Sequence, residues 1–100
     1  MTTYYAIFQR PGAQWNPERP VREQQFWDEH ARFVDSLFDA GVVILAGPFA
    51  DRTGSLVIVT ADSVEQVYEI FRSDPWAQHD VLVAADVKEW TIFLDARTRS

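Results

Sequence analysis

The predicted order of elements, strand-helix-strand-strand-helix-strand, makes this chain an α+β protein: a ferredoxin-like β-α-β-β-α-β antiparallel sheet with both helices on one face. Three observations carry that expectation. Residues 26–38 repeat apolar side chains at helical spacing. Val42 to Ala46 and Ser55 to Thr60 are short apolar runs separated by turn residues, the pattern of a hairpin. A second helical pattern after Ser63 is cut off before Pro75. With 100 residues the chain is long enough for one hydrophobic core and too short for two, so a single domain is expected over 1–100, with its folded core at about 4–94.

Tyr4 to Gln9, rich in aromatic and branched residues, predicts the first strand, and Pro11-Gly12 ends it. Ala13 to Pro20 is irregular and is broken by Asn16-Pro17 and Arg19-Pro20, so it predicts a loop carrying Trp15 and Arg19. Pro20 is suited to open a helix, because its missing N–H is not needed in the first turn. The helix is expected from about Val21 to Ala40, with Gly41 as its left-handed cap. Phe26, His30, Phe33, Val34, Leu37 and Phe38 form one stripe on it, and Asp28, Glu29, Arg32, Asp35, Ser36 and Asp39 form the wet face. His30 therefore points inward.

The strand at Val42 to Ala46 is stopped by Gly47-Pro48, Asp51-Arg52-Thr53-Gly54 is turn chemistry, and Ser55 to Thr60 returns. Asp62 and Ser63 offer N-caps, with Glu65 and Gln66 placed for a capping box, and Val64, Val67, Tyr68 and Phe71 recur at helical spacing. Pro75 holds Asp74 extended just beyond that helix. Trp76 to Asp80 predicts a turn, Val81 to Leu94 an extended segment bent at Ala84-Ala85-Asp86, and Arg97 to Ser100 a frayed tail.

Composition excludes several functions. There is no cysteine, hence no disulfide framework or thiolate nucleophile. Only two histidines are present, far apart, and no three-ligand constellation has metal spacing, so no metal site is expected. No glycine-rich phosphate loop occurs. A net charge of −6 without a dense Lys/Arg cluster argues against nucleic acid. No apolar run approaches the roughly 18 to 20 residues of a membrane span, and the N-terminus lacks the pattern of a signal peptide, so a soluble, cytoplasmic protein is expected.

Both alternating faces are apolar in Tyr4 to Phe8, Val42 to Leu45 and Leu56 to Val59, yet two helices can shield only one face of a sheet. Burial contributes about 25 cal/mol per Å² of apolar surface, so the other face should be covered. The expected cover is a second copy, giving a homodimer through the sheet face.

His30-Ala31-Arg32-Phe33, the segment Gly41 to Pro48 with its Ala46-Gly47-Pro48 ending, Ala61-Asp62-Ser63 and Ser73-Asp74-Pro75-Trp76 together resemble the YciI-like (YCII-related) family, over nearly the whole chain from Tyr4 to about Leu94. The resemblance implies a ferredoxin-like domain that dimerises into an α+β barrel, with a histidine and an aspartate of its cleft as a catalytic dyad; those positions fall on His30 and Asp74. It also implies kinship with an enzyme that eliminates chloride from a chlorinated hydroxyquinol, and similarity in fold to muconolactone isomerases. Two features depart from the pattern: a longer stretch from Pro11 to Gln25, and Lys88-Glu89-Trp90 where many relatives have proline before the aromatic.

An Asp74 carboxylate accepting from one ring nitrogen of His30 would fix the tautomer and leave the other nitrogen as a base. Arg10, at the end of the first strand, is the candidate donor to an oxyanion or carboxylate, with a solvated strand-end arginine as its plain alternative. Arg22 and Arg19 are weaker candidates for the same role. Trp15 is a candidate aromatic lid and Ser55 a candidate hydrogen-bonding residue, while His79, beside Asp80 in a polar turn, is expected at the surface. His30 has a structural alternative, a core imidazole satisfied by its surroundings, and Asp74 could simply cap a helix end or turn. Two functions follow: a cofactor-independent lyase or isomerase moving protons on a small anionic or aromatic metabolite, or a non-catalytic dimeric ligand-binding or accessory protein.

Overall fold

In the computed structural model, which describes residues 2–98, strands β1 (Tyr4–Pro11), β2 (Val43–Pro48), β3 (Ser55–Thr60) and β4 (Leu82–Trp90) form one antiparallel sheet in the order β2-β3-β1-β4. With helices α1 (Trp27–Asp39) and α2 (Val64–Phe71) this is the ferredoxin-like arrangement. A short helix, α3 (Pro75–Gln78), stands where the sequence predicts a turn.

Side chains alternate across a strand, and the alternation decides which residues meet the helices. Tyr5 and Ile7 of β1, Val43 of β2, and Val57 and Val59 of β3 are buried with Val67 and Phe71 of α2, and Phe33 and Leu37 of α1 pack on the same cluster. Both helices therefore lie on one face. A smaller cluster of Trp76, Val81 and Leu82, flanked by Trp15, Val21 and Trp27, closes the end of the molecule where the loops after β1 and α2 meet.

The opposite face carries Tyr4, Ala6 and Phe8, paired in register with Thr60, Ile58 and Leu56 of β3 and with Trp90, Lys88 and Asp86 of β4. Phe8, Leu45 and Trp90 on this face stay 38%, 49% and 45% exposed, whereas Ala6 and Ile58 among them are buried and Lys88 pairs with Asp86, so the face is only partly covered in the single chain. Pairing of β1 with β4 slips by one residue between Phe8 and Gln9, leaving Ala85 unmatched between Ala84 and Asp86. The predicted bend is thus a β-bulge.

Three expectations need correction. The first helix begins at Trp27, not Val21: Val21–Glu23 is a separate 3-10 turn, Gln24 is extended, and Phe26 sits in the left-handed region with φ 62°. The cause is the buried Gln24 amide. Its Oε1 accepts from the Asn16 N–H at 2.8 Å, and its Nε2 donates to the carbonyls of Asn16 at 2.7 Å and Arg19 at 2.9 Å. A side chain committed to backbone groups of the preceding loop competes with helix continuation. Phe26 accordingly leaves the inward stripe, and Trp27 joins it.

Second, β4 stops at Trp90 and does not run on to Leu94. Third, the expected frayed tail is in part a 3-10 turn, Ala96–Thr98, preceded by Asp95, which accepts from the Arg97 guanidinium at 2.7 Å; residues 99 and 100 lie outside the described residues.

β2 also runs through Gly47 and Pro48, where the sequence predicts its end, and Phe38 of the predicted inward stripe is exposed. The expected helix caps hold. Gly41 (φ +80°) caps α1, its N–H donating to Phe38 while Val42 N–H donates to Leu37, the paired bonds of a Schellman motif. Ser63 Oγ accepts from the Gln66 N–H, and Gln66 Oε1 reaches back to the Asp62 N–H, one residue earlier than the reciprocal bond of a capping box.

Candidate active site

Two elements far apart in sequence meet at His30. α1 presents it from the sheet side of the helix, where it is 9% exposed. The segment joining α2 to α3 presents Asp74, 1% exposed. Pro75 at the first position of α3 fixes its own φ and keeps Asp74 extended (φ −66°, ψ 124°), and Asp74 caps the helix by accepting from the Trp76 N–H at 2.9 Å. The same carboxylate meets His30 Nδ1 at 2.9 and 3.1 Å. An ionised carboxylate can only accept, so Nδ1 is its donor, and in the neutral imidazole the lone pair is then on Nε2. Capping and pairing, alternatives in the sequence, are both performed by Asp74.

The imidazole is held by more than its partner. Trp76 lies parallel to it at 3.8 Å between ring centroids and 8° between planes, and Trp27 flanks it at 5.8 Å, tilted by 48°. Trp76 is itself fixed by donating Nε1–H to the Gln25 carbonyl at 2.6 Å.

His30 opens onto a cleft of about 620 Å³ between α1 and the ends of β1, β2 and β3. Gln9, Arg22, Trp27, Asp35, Ser55 and Trp76 share its lining with aliphatic residues including Val34 and Val57. Gln9 and Ser55 are register partners on the helix side of β1 and β3. Their close approach depends on Gly54 (φ +153°), where a Cβ would run into the Gln9 carbonyl. Gln9 is 7% exposed, and its side chain, which makes no hydrogen bond among the described residues, lines both this cleft and a smaller one beside Asp74. The site thus offers an imidazole, an amide, a hydroxyl, the Arg22 cation and the Asp35 carboxylate beside apolar walls. Among the described residues no three His, Asp or Glu side chains cluster in a way that would hold a metal ion.

His30, Asp74, Arg22 and Ser55 are brought together as the sequence suggests. Arg10 is not. It alternates with Gln9 and so projects from the uncovered face of the sheet, exposed and away from the cleft. Trp15 does not reach over His30; it stands edge-on to Trp76 at 5.9 Å and lines an adjoining cavity. Arg19 pairs with Glu23 on the surface at 3.7 Å, and exposed His79 stacks on Phe26 at 3.9 Å. Gln9 was open to discovery from the alternation Tyr5, Ile7, Gln9. Trp76 carried only one signal, its place directly after Pro75.

The description "YCII-related domain" fits the model matched by residues 3–91. The chain is 36% identical over 76 residues to the uncharacterised protein YjpA of Bacillus subtilis (strain 168), covering 72% of this chain and 82% of that protein. Its fold is similar to that of 5-chloro-2-hydroxyhydroquinone dehydrochlorinase (TftG) from Burkholderia phenoliruptrix AC1100, solved in complex with 2,5-dihydroxybenzoquinone. The TM-score is 0.61 at 22% identity, over 88% of this chain and 93% of that one.

Proposed function

Because the chain belongs to the YCII-related domain family, we propose that it is a cofactor-independent enzyme of the lyase or isomerase type, acting on a small ring compound that carries an acidic hydroxyl or a proton next to a carbonyl. The observation that carries this reading is the buried His30–Asp74 pair, bonded through Nδ1, with His30 among the residues that line the cleft. His30 Nε2 accepts the substrate proton, and the Asp74 carboxylate stabilises the imidazolium that forms. In an isomerisation the proton returns to another atom of the substrate; in an elimination it stays on the enzyme while the leaving group departs with its electron pair. The Gln9 amide, the Ser55 hydroxyl and Arg22 supply donors for the oxyanion. Dehydrochlorination, the activity named for the solved neighbour, is an elimination of this kind.

The enzyme works as a homodimer. The uncovered sheet face, with Phe8, Leu45 and Trp90 exposed, supports a partner of the same kind packed sheet to sheet. Arg10 then belongs to the interface side and takes no part in the cleft of its own chain.

The test is turnover of hydroxylated quinones and chlorinated hydroxyquinols by wild type, His30→Ala and Asp74→Asn, with circular dichroism as the check on folding. Loss of turnover in folded variants supports the reading. Turnover unaffected by either substitution overturns it.

A further inference from the structure

The His30 cleft does not end at its own walls. A second cavity of about 340 Å³ adjoins it, and Val21, Pro48, Ser55 and Leu82 line both. We propose that the two are successive chambers of one binding site, and that the ligand is correspondingly two-part: a hydroxylated or enolisable ring at His30, and an apolar arm in the second chamber. The proposal rests on reading the His30 cleft as the substrate site, and it names a substrate class for it.

The chemistry changes from one chamber to the next. The first holds polar groups for a reacting ring: His30, Arg22, Asp35, and the Gln9 amide beside Ser55. The second is walled by Trp15, Phe49, Pro11 and Pro20, and no carboxylate lines it; Arg52 and Ser55 are its only polar side chains. Such a wall favours an apolar group over a second polar ring. The Ser55 hydroxyl makes no hydrogen bond among the described residues and stands at the junction, where the arm would leave the ring.

The two chambers also share an aromatic wall. Trp76, stacked on His30, meets Trp15 of the second chamber edge to face. The two loops that wall the second chamber are also held to each other. The Gln24 amide fixes the loop that carries Trp15, and Arg52 Nη2, on the β2–β3 turn, donates to the Arg19 carbonyl of that loop at 3.3 Å. This is a built compartment between two loops. A volume of about 620 Å³ for the first chamber alone is already in the range of drug-sized ligands, so a single ring leaves room toward the second.

The experiment measures binding of 2,5-dihydroxybenzoquinone and its 3-alkyl homologues from methyl to hexyl, with the His30 ring signals in NMR reporting that the ring is seated. Burial of each methylene should tighten binding about fourfold until the chamber is full, after which affinity levels off. In Phe49→Ala, which removes one wall of the second chamber, the gain per methylene should fall. If all homologues move the His30 signals but bind no tighter than the bare ring, the two-chamber inference is overturned and the proposed function stands. A chain-length gain undiminished in Phe49→Ala puts the arm elsewhere and also overturns it. If neither ring nor homologues move His30, the reading of the cleft fails, and this inference fails with it.

Discussion

Asp74 uses one oxygen twice: Oδ1 accepts from the Trp76 N–H and from His30 Nδ1, each at 2.9 Å. The carboxylate that orients the imidazole is thereby the cap of the helix whose indole stacks on that imidazole. Position, tautomer and stacking of His30 all depend on the five residues from Asp74 to Gln78.

Replacing Asp74 by asparagine preserves volume but offers a neutral amide in place of an obligatory acceptor. The Nδ1–H tautomer of His30 loses its anionic partner, and ¹⁵N shifts of the ring should show the other tautomer gaining population. Turnover should fall by about a hundredfold to ten-thousandfold, the range of general acid–base catalysis. Unchanged ring nitrogen shifts would contradict the pairing.

Trp76→Phe keeps an aromatic face but removes the donor to the Gln25 carbonyl. A cost of about 1 to 3 kcal/mol in urea unfolding is expected from a lost buried hydrogen bond. The His30 ring protons should move as well, because the indole ring current acts on them from 3.8 Å.

Gln24→Leu removes the hydrogen bonds that hold Asn16 and Arg19. Limited proteolysis should then cut between residues 13 and 20 much faster than in wild type, while the ¹⁵N shifts of His30 stay as they are. Equal cleavage rates would show that the loop is held by packing alone.

Leu45→Asp places a charge on the uncovered sheet face, where no cleft residue is touched. Sedimentation should find wild type dimeric at low micromolar concentration and the variant monomeric. A monomeric wild type would sink the sheet-to-sheet dimer.

Strong acid should loosen the turn between β2 and β3. Asp51 accepts from Thr53 Oγ1 at 2.6 Å and from the Thr53 N–H at 3.1 Å, and these bonds hold its carboxyl below the ordinary 3.8. A carboxylate favoured by folding contributes stability above its unfolded value, and that contribution disappears as pH falls through the lowered one. The Thr53 amide should therefore titrate with a midpoint below 3.8, and Thr53→Val, which removes the stronger bond, should raise that midpoint toward 3.8.

Local chemistry made most of the architecture legible from sequence. Gly41 and Ser63 cap the helices, Pro75 positions Asp74, and the apolar strands set the sheet. Two-faced apolarity foretold an uncovered face, and the helical stripe foretold that His30 turns inward. What stayed hidden depends on contacts distant in sequence. The α1 start was hidden because it depends on where the Gln24 amide finds its partners. The direction of Arg10 was legible in principle, since it alternates with Gln9, but a strand end offers no register until β3 and β4 are in place. The stacking of Trp76 on His30 spans 46 positions and leaves no periodic trace.

The break at Gln24 and Phe26 divides the walls of the site between two stretches of chain. The direct contacts of the His30 ring come from Gln25 onward, in α1 and in the segment from Asp74 to Trp76, with Trp15 packing on Trp76 from the loop before it. The wall toward Trp15 and Arg22 lies before it and carries its own anchor. A change confined to the stretch from Gly12 to Glu23 alters the wall of the second cavity and, through Trp15 on Trp76, is felt at the imidazole stacked on that indole.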